Sequence, residues 1–396
     1  MVTGLLRMVA MGLPSFMQLV DQLRKGITGG AFPVSESAFY KRLHAMPHTI
    51  FRAVLQDVTE VVRQTGSERD GIAKLAPWAA GIYAVDDTTL DALMRKTSAL
   101  QAHPKGAMET LGGRLSCALD LKTGLLAEVL YDPDAAANEK PHFGKLLEVM
   151  GTNNMFVLDL GYFSFPLFDR LTDTGNFFVT RMRQKTSYEV VEKGVDTDVY
   201  RDSLIYLGKH RADRAAHPVR LVEFKLGDQW HAYITNVLNP RMLGVEQLWK
   251  LYRERWGIES VFAVLKQNLK LAFIRPCHTN GILAQVWATL TVYQVLQDLR
   301  LRAGKVYGCG VDKISWYNLM QRIGWYGYEQ RSVTLSEYLL DGSKTMALEK
   351  RGQRERVPTK LTGKLAKTIK ANEPNWVHPP PRDARRGRGW WPRRRA

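Results

Sequence analysis

The period of the apolar positions changes twice along the chain. Over the first 75 residues it is helical: an apolar-periodic stretch runs from Pro14 to Leu23, a break covers Gly26 to Pro33, and Ser35 is placed to cap a helix that ends before Pro47. Two short helices around a glycine-containing break suit a helix-turn-helix. From Gly81 the pattern becomes strand-like. Ile82 to Val85 runs into Asp86-Asp87-Thr88-Thr89, and Arg114 to Leu121 and Leu125 to Tyr131 flank a tight turn at Lys122-Thr123-Gly124. A helical stretch at Lys140 to Met150, a buried-type strand at Met155 to Leu158 ending on Asp159, a short helix at Phe165 to Leu171 and a strand at Phe177 to Thr180 follow. Between Gln184 and Asn239 the chain is strand-rich again, and two long helices are predicted at Val245 to Leu271 and Ile282 to Leu301.

Composition narrows the class. With 396 residues and 45% hydrophobic content there is ample core for two or three units. The net charge of +17 calls for a polyanionic partner, DNA or RNA first. Much of it sits in residues 351 to 396, which carry 14 Lys and Arg against Glu355, Glu373 and Asp383. That tail is poor in apolar residues and holds Pro379-Pro380-Pro381 and Arg393-Arg394-Arg395, so it is expected to be disordered without a partner. It reads either as a flexible DNA-binding arm or as sequence from beyond an original element boundary. Cys117, Cys277 and Cys309 form no C-x-x-C pair, which argues against a disulfide framework or structural zinc and fits a reducing cytoplasm. Neither a signal peptide nor a membrane span is expected. Zinc-protease, serine-hydrolase and P-loop patterns are absent from the sequence.

The sharpest local signal is Tyr252, Arg255, Glu259 and Lys266. On a helix advancing about 100° per residue these four stay within roughly a 60° arc. A second stripe, Trp256, Val261 or Phe262, and Leu265, is expected to seat that helix on a core. Arg255 and Glu259 alone would be an ordinary i,i+4 ion pair. As a set, however, a chance match at one start position is on the order of 1 in 10^5 at typical residue usage. The pattern Tyr-x2-Arg-x3-Glu-x6-Lys resembles the signature of the DDE transposases of bacterial insertion sequences known as the YREK group, the family-four type. Val85-Asp86-Asp87-Thr88-Thr89-Leu90 resembles that family's first-aspartate block, and Leu158-Asp159-Leu160-Gly161-Tyr162-Phe163-Ser164 its second, with Leu160 where an Arg is usual. Phe178 to Arg181 and Ile234 to Asn236 also look like family strands, so the resemblance covers roughly Gly81 to Leu301.

The resemblance implies an α/β fold: an RNase H-like mixed sheet with helices on both faces, interrupted by a β-rich insertion and preceded by a helical domain. The element order agrees with it. The expected organisation is a helical DNA-binding domain at 1–78, the first part of the core at 79–185, the insertion at 186–240, the second part with the Glu259 helix at 241–305, a helical segment at 306–350 and the basic tail at 351–396. Asp86, Asp159 and Glu259 are implied as catalytic, metal-holding carboxylates. Three such groups suit two hard cations, Mg2+ with Mn2+ as the alternative, about 4 Å apart across an in-line phosphoryl displacement. Asp87 remains open as the alternative to Asp86, because neighbours on a strand face opposite ways. Tyr252, Arg255 and Lys266 are implied as phosphate contacts. Arg181 and Arg183 are candidate backbone contacts, and Trp230 a candidate base-stacking residue, against bland readings as solvated or packed side chains. The implied partners are double-stranded DNA at terminal inverted repeats and target DNA, engaged by a homodimer in the bacterial cytoplasm, at the nucleoid. The implied activity is metal-dependent end cleavage and strand transfer. The rivals are an RNase H-fold nuclease without strand transfer and an inactive or repurposed copy that only binds DNA.

Overall fold

The computed structural model describes residues 2–10, 18–21, 35–66, 68–69, 71–91, 111–134, 139–271, 279–329, 361, 363–372 and 374. Helices α1 (Val2–Ala10), α2 (Glu36–Ala45) and α3 (His48–Thr65) precede the strands. Ser35 caps α2 by accepting the Ala38 amide at 3.1 Å. The predicted break at Gly26 to Pro33 lies outside the described residues. Strands β1 (Ile82–Asp91), β2 (Leu111–Asp120) and β3 (Leu126–Asp132) lead to α4 (Glu139–Met150), β4 (Met155–Leu158), α5 (Phe165–Asp173) and β5 (Phe177–Arg181). Then come β6 (Tyr188–Asp196), β7 (Tyr200–Leu207), β8 (Val219–Leu226) and β9 (Gln229–Thr235), followed by α6 (Val245–Glu254), α7 (Trp256–Ala263), α8 (Thr279–Val306) and α9 (Trp316–Glu329). One more described helix, α10 (Gly363–Ala371), lies in the tail expected to be disordered. Its Leu365 is buried and Ile369 packs on the same core, an i,i+4 apolar pair inside a basic stretch. Lys364 of α10 pairs with Asp198. Apart from Leu361, Asn372 and Pro374, the rest of 351–396, including the arginine repeats, lies outside the described residues, as does all of 330–350.

The nine strands form one mixed sheet in the order β3-β2-β1-β4-β5-β9-β8-β7-β6. β1, β4 and β5 run parallel, whereas β2 and β3 and the four later strands pair antiparallel. The strand-rich stretch is thus continuous with the sheet, joined where β9 pairs β5 antiparallel and Val179 faces Thr235. Alternation along each central strand divides the core in two. Ile82, Ala84, Cys117, Met155, Val157 and Val179 belong to a cluster shared with α1, α2, α3, α6, α7 and α8. Their neighbours Val85, Ala118, Phe156, Leu158 and Phe178 belong to a second cluster under α4 and α5. Helices therefore cover both faces.

Helix α8 is buried almost all round, and three of its side chains hold the β2–β3 hairpin. Gln294 accepts the Leu126 amide and donates to the Leu126 carbonyl, Gln297 donates to the Thr123 carbonyl, and the Tyr293 hydroxyl to that of Gly124. None of the described helices is long and apolar enough to cross a membrane.

The start of α6 is held by a fully buried pair. Arg220 on β8 donates to Asp202 on β7 at 2.9 Å, with both side chains 0% exposed, and a second guanidinium nitrogen reaches the Leu243 carbonyl at 2.6 Å. The Tyr200 hydroxyl donates to the same Asp202 at 2.7 Å. Removing one member leaves a buried charge without its counterpart. Asp202→Ala is therefore expected to cost about 3–5 kcal/mol of stability, read as a shifted midpoint in urea unfolding.

Candidate active site

Parallel pairing of β1 with β4 sets Val85 opposite Leu158. The next residues, Asp86 and Asp159, therefore emerge side by side where the pairing of β1 with β4 stops; β4 ends there, whereas β1, expected from the sequence to end at the aspartate, continues to Asp91 paired with β2. By strand parity Asp86 lies on the face of Ile82 and Ala84, the face covered by α7, whose Ile258 is buried in that cluster. Glu259 is the next residue of α7 and reaches the same place.

Arg255 joins them. Its guanidinium lies 2.8 Å from Glu259, 3.8 Å from Asp159 and 4.0 Å from Asp86. The arginine side chain is only 5% exposed, while Asp159 and Glu259 are 43% and 39% exposed, so the site opens to solvent on the carboxylate side. The Nε and Nη1 atoms of Arg255 are buried and make no hydrogen bond among the described residues. Burial pushes the Asp86 carboxyl up to about 6, against the pull of the Asp87 amide and Arg255, with the charges of Asp159 and Glu259 adding to the rise.

The carrier of these groups differs from the single helix predicted. Arg255 keeps helical torsions, but its amide bonds to the Tyr252 carbonyl and its carbonyl accepts from Ile258, an i,i+3 pattern that separates α6 from α7. After Ala263 the chain enters a π-helical turn, Val264–Asn268, which carries the half-buried Lys266 and turns it away from the uniform α-helical arc. Trp256, expected in the core, is 56% exposed, with the Arg255 guanidinium 4.9 Å from its ring centre.

The remaining candidates fall at the same end of the sheet but not all in one cluster. Tyr252 is buried, its ring 5.0 Å from Tyr233, and the Arg181 guanidinium lies over it at 5.2 Å. Arg183 donates to the Leu160 carbonyl at 2.9 Å, directly beside Asp159, and stacks on Phe163. Trp230 is 39% exposed on β9, with Arg201 packed over its ring at 4.5 Å; the structure pairs it with Arg201 and not with the carboxylates.

Residues 77–295, more than half of the chain, match the model of the transposase DDE domain. The chain belongs to this transposase family. A Sinorhizobium fredii protein whose name places it among the transposases, y4zB, is 24% identical over 191 residues, a match covering 44% of this chain and 53% of that protein. The chain thus spans about half the length of the curated relative it matches. A cryo-EM structure of the piggyBac transposase synaptic complex with hairpin DNA aligns over 72% of this chain and 62% of its own, at 12% identity and a TM-score of 0.36, too low a likeness to argue from.

Within the DDE domain, Asp87 turns to the opposite face and enters a buried network. It accepts from the Tyr162 hydroxyl at 2.7 Å and pairs with Arg114 at 3.4 Å, and His142 stands 3.9 Å away. His142 in turn contacts Asp132 at 2.7 Å and Ser116 at 3.1 Å. Sequence reasoning missed Arg114, His142 and Tyr162; only Tyr162 carried a signal, its place three residues after Asp159.

The donor chemistry of Asp86, Asp159 and Glu259 fits hard divalent cations, being all carboxylate oxygen. As arranged here, no three His, Cys, Asp or Glu side chains among the described residues are close enough to hold an ion, and a guanidinium with two unbonded nitrogens occupies the space between the three. Because the folded protein prefers Asp86 protonated, its ionisation costs stability above about pH 6, and the cost fades as pH falls through that value. In chelator, Asp86→Asn should therefore raise stability at pH 8 by on the order of 1–3 kcal/mol, with the gain shrinking by pH 5, as read by urea unfolding at the two pH values.

Proposed function

We propose that this chain is the transposase of a bacterial insertion sequence of the YREK group, cleaving DNA at the element's ends and joining them to target DNA. The observation that carries the reading is the convergence of Asp86, Asp159 and Glu259 on Arg255 within 4.0 Å. Strand order supports an RNase H-like core at 79–185 and 241–305, with β6 to β9 as the insertion at 186–240 and the helices of 1–78 as a DNA-binding domain.

In this reading Asp86, Asp159 and Glu259 would hold divalent ions, Mg2+ or Mn2+, two per site, which would supply Lewis-acid activation and charge balance to the phosphoryl displacement. Arg255 then serves two purposes. It counters the three carboxylates before the ions bind, and it supplies a donor to the scissile phosphate once they do. Tyr252 and Lys266 are proposed as further phosphate contacts, and Arg181 and Arg183 as a cationic track past the carboxyl ends of β4 and β5. In strand transfer a free 3′ oxygen forms a new bond to the target phosphorus as the target's own 3′ oxygen leaves. Two chains, one per end, would act as a homodimer at the nucleoid in the cytoplasm.

The test uses labelled duplex carrying the element's terminal repeat, with Mg2+, and compares the intact protein with Glu259→Gln. End cleavage and strand transfer should fall at least about a thousandfold in the variant, about 4 kcal/mol of transition-state stabilisation, with end binding retained in a gel-shift assay. Cleavage that persists in Glu259→Gln removes the site assignment. Binding without cleavage by the unaltered protein replaces the proposal with that of an inactive or repurposed copy.

A further inference from the structure

Pairing of β1 with β4 ends at Val85 and Leu158, one residue short of Asp86 and Asp159. Past that point the backbone ladder no longer fixes how far apart the two carboxylates stand. The next cross-link is a side-chain bond, the Tyr162 hydroxyl donating to Asp87 at 2.7 Å.

Each end of that bond is tied to one aspartate. The Asp87 amide donates to the Asp86 carboxylate at 2.8 Å, so the backbone that sets Asp87 also orients Asp86. Tyr162 closes the 3-10 turn Leu160–Tyr162 that begins at Asp159, with its amide bonded to the Asp159 carbonyl at 3.1 Å. The bond is inaccessible to water: Tyr162 is 1% exposed, Asp87's side chain 3%, and the tyrosine ring packs edge-on against Phe143 at 5.4 Å. Arg114 holds the second oxygen of Asp87 at 3.4 Å, and His142 is fixed beside it by its own contacts to Asp132 and Ser116.

We propose that Asp87 and Tyr162 are positioning residues, whose buried hydrogen bond sets the spacing of the Asp86 and Asp159 carboxylates for divalent cations. The inference rests on the transposase reading of the site. Neither residue touches the ions or DNA; each acts through the carboxylate next to it or three residues before it. Outer groups of this kind commonly change metal affinity by about 10–100-fold when removed, because a hard cation tolerates little error in the placement of its oxygens. Ser116, His142 and Asp132 lie in serine–histidine–aspartate contact, but Ser116 is 1% exposed in β2, so this trio supports Asp87 and is not a nucleophile.

The experiment is Mn2+ titration of the full chain without DNA, followed by calorimetry and by the electron paramagnetic resonance of free Mn2+. Proteins compared are the unaltered chain, Tyr162→Phe, Asp87→Ala, the double variant, Glu259→Gln and Tyr293→Phe. The last removes another buried tyrosine hydroxyl bond, to the Gly124 carbonyl of the β2–β3 hairpin, and controls for lost stability. Tyr162→Phe and Asp87→Ala should each weaken Mn2+ binding by about tenfold or more, the double variant no further than the worse single, and Tyr293→Phe not at all. Wild-type affinity in Tyr162→Phe, or an equal loss in Tyr293→Phe, overturns the proposal, given Mn2+ binding that Glu259→Gln abolishes. Mn2+ binding indifferent to Glu259→Gln instead overturns the site reading, and this inference falls with it. Tyr162→Phe keeps the ring and its packing, so the test stands even where Asp87→Ala fails to fold.

Discussion

Three carboxylates gathered around one guanidinium make a costly arrangement. Two unit charges about 4 Å apart interact by roughly 4 kcal/mol at the effective dielectric of a partly exposed site, and here three acids must approach one another. Without a positive charge among them, the middle of β1, the turn after β4 and the face of α7 would be driven apart. Arg255 is that charge, and it is nearly buried. A buried arginine must be delivered to its place by rigid neighbours, because its own desolvation is expensive. The rigidity comes from α6: Trp249 and Tyr252 pack on Phe224 and Tyr233 of the later strands, and the Arg220–Asp202 pair grips the Leu243 carbonyl just ahead of the helix. The later strands thus contribute to the carboxylate cluster although none of its acids lies on them.

The alternation of a single strand then keeps two charged systems from merging. Asp86 and Asp87 are adjacent, yet one faces Arg255 and the other faces Tyr162, Arg114 and His142. If both were on one face, four carboxylates would compete for one guanidinium. On opposite faces, each has its own cationic partner, and the sheet lies between them. Only the Asp87 amide crosses over, as a donor to Asp86.

Much of this was legible because it follows from short-range rules. The apolar runs Ile82 to Val85 and Met155 to Leu158, each followed by an aspartate, are visible from apolar content alone, although β1 continues past Asp86 to Asp91, and Ser35 announced its cap. The choice of Asp86 over Asp87 rests on the family resemblance alone, since parity only says that the two differ; it takes the position of α7 above the sheet to say which of them meets Arg255. The continuity of β9 with β5 was hidden for the same reason, as a strand's pattern records its burial and not its neighbour. Trp256 misled because a helical wheel assumes uniform winding, and the i,i+3 step at Arg255 rotates the residues after it. In the tail, net charge outweighed Leu365 and Ile369, two apolar residues that suffice for a short helix once a core is present to receive them.

Those irregularities in winding carry a physical consequence of their own. The Arg255 step and the Val264–Asn268 turn bracket the eight residues of α7, so the segment bearing Glu259 is short and bounded by non-α hydrogen bonding on both sides. A continuous helix would pass any shift at Glu259 along its whole length, disturbing the aromatic packing of α6. A bracketed one can adjust by small changes at its ends, where hydrogen bonds are already off the i,i+4 pattern. Asp86 lies within β1, paired to Cys117 of β2, and Asp159 follows β4 in the turn that Tyr162 ties to Asp87, so neither has a bracket of this kind. Of the three carboxylates, Glu259 is therefore the one whose carrier is built to yield. Any closing of the cluster from its Arg255-centred arrangement should come mainly from the helix and not from the sheet.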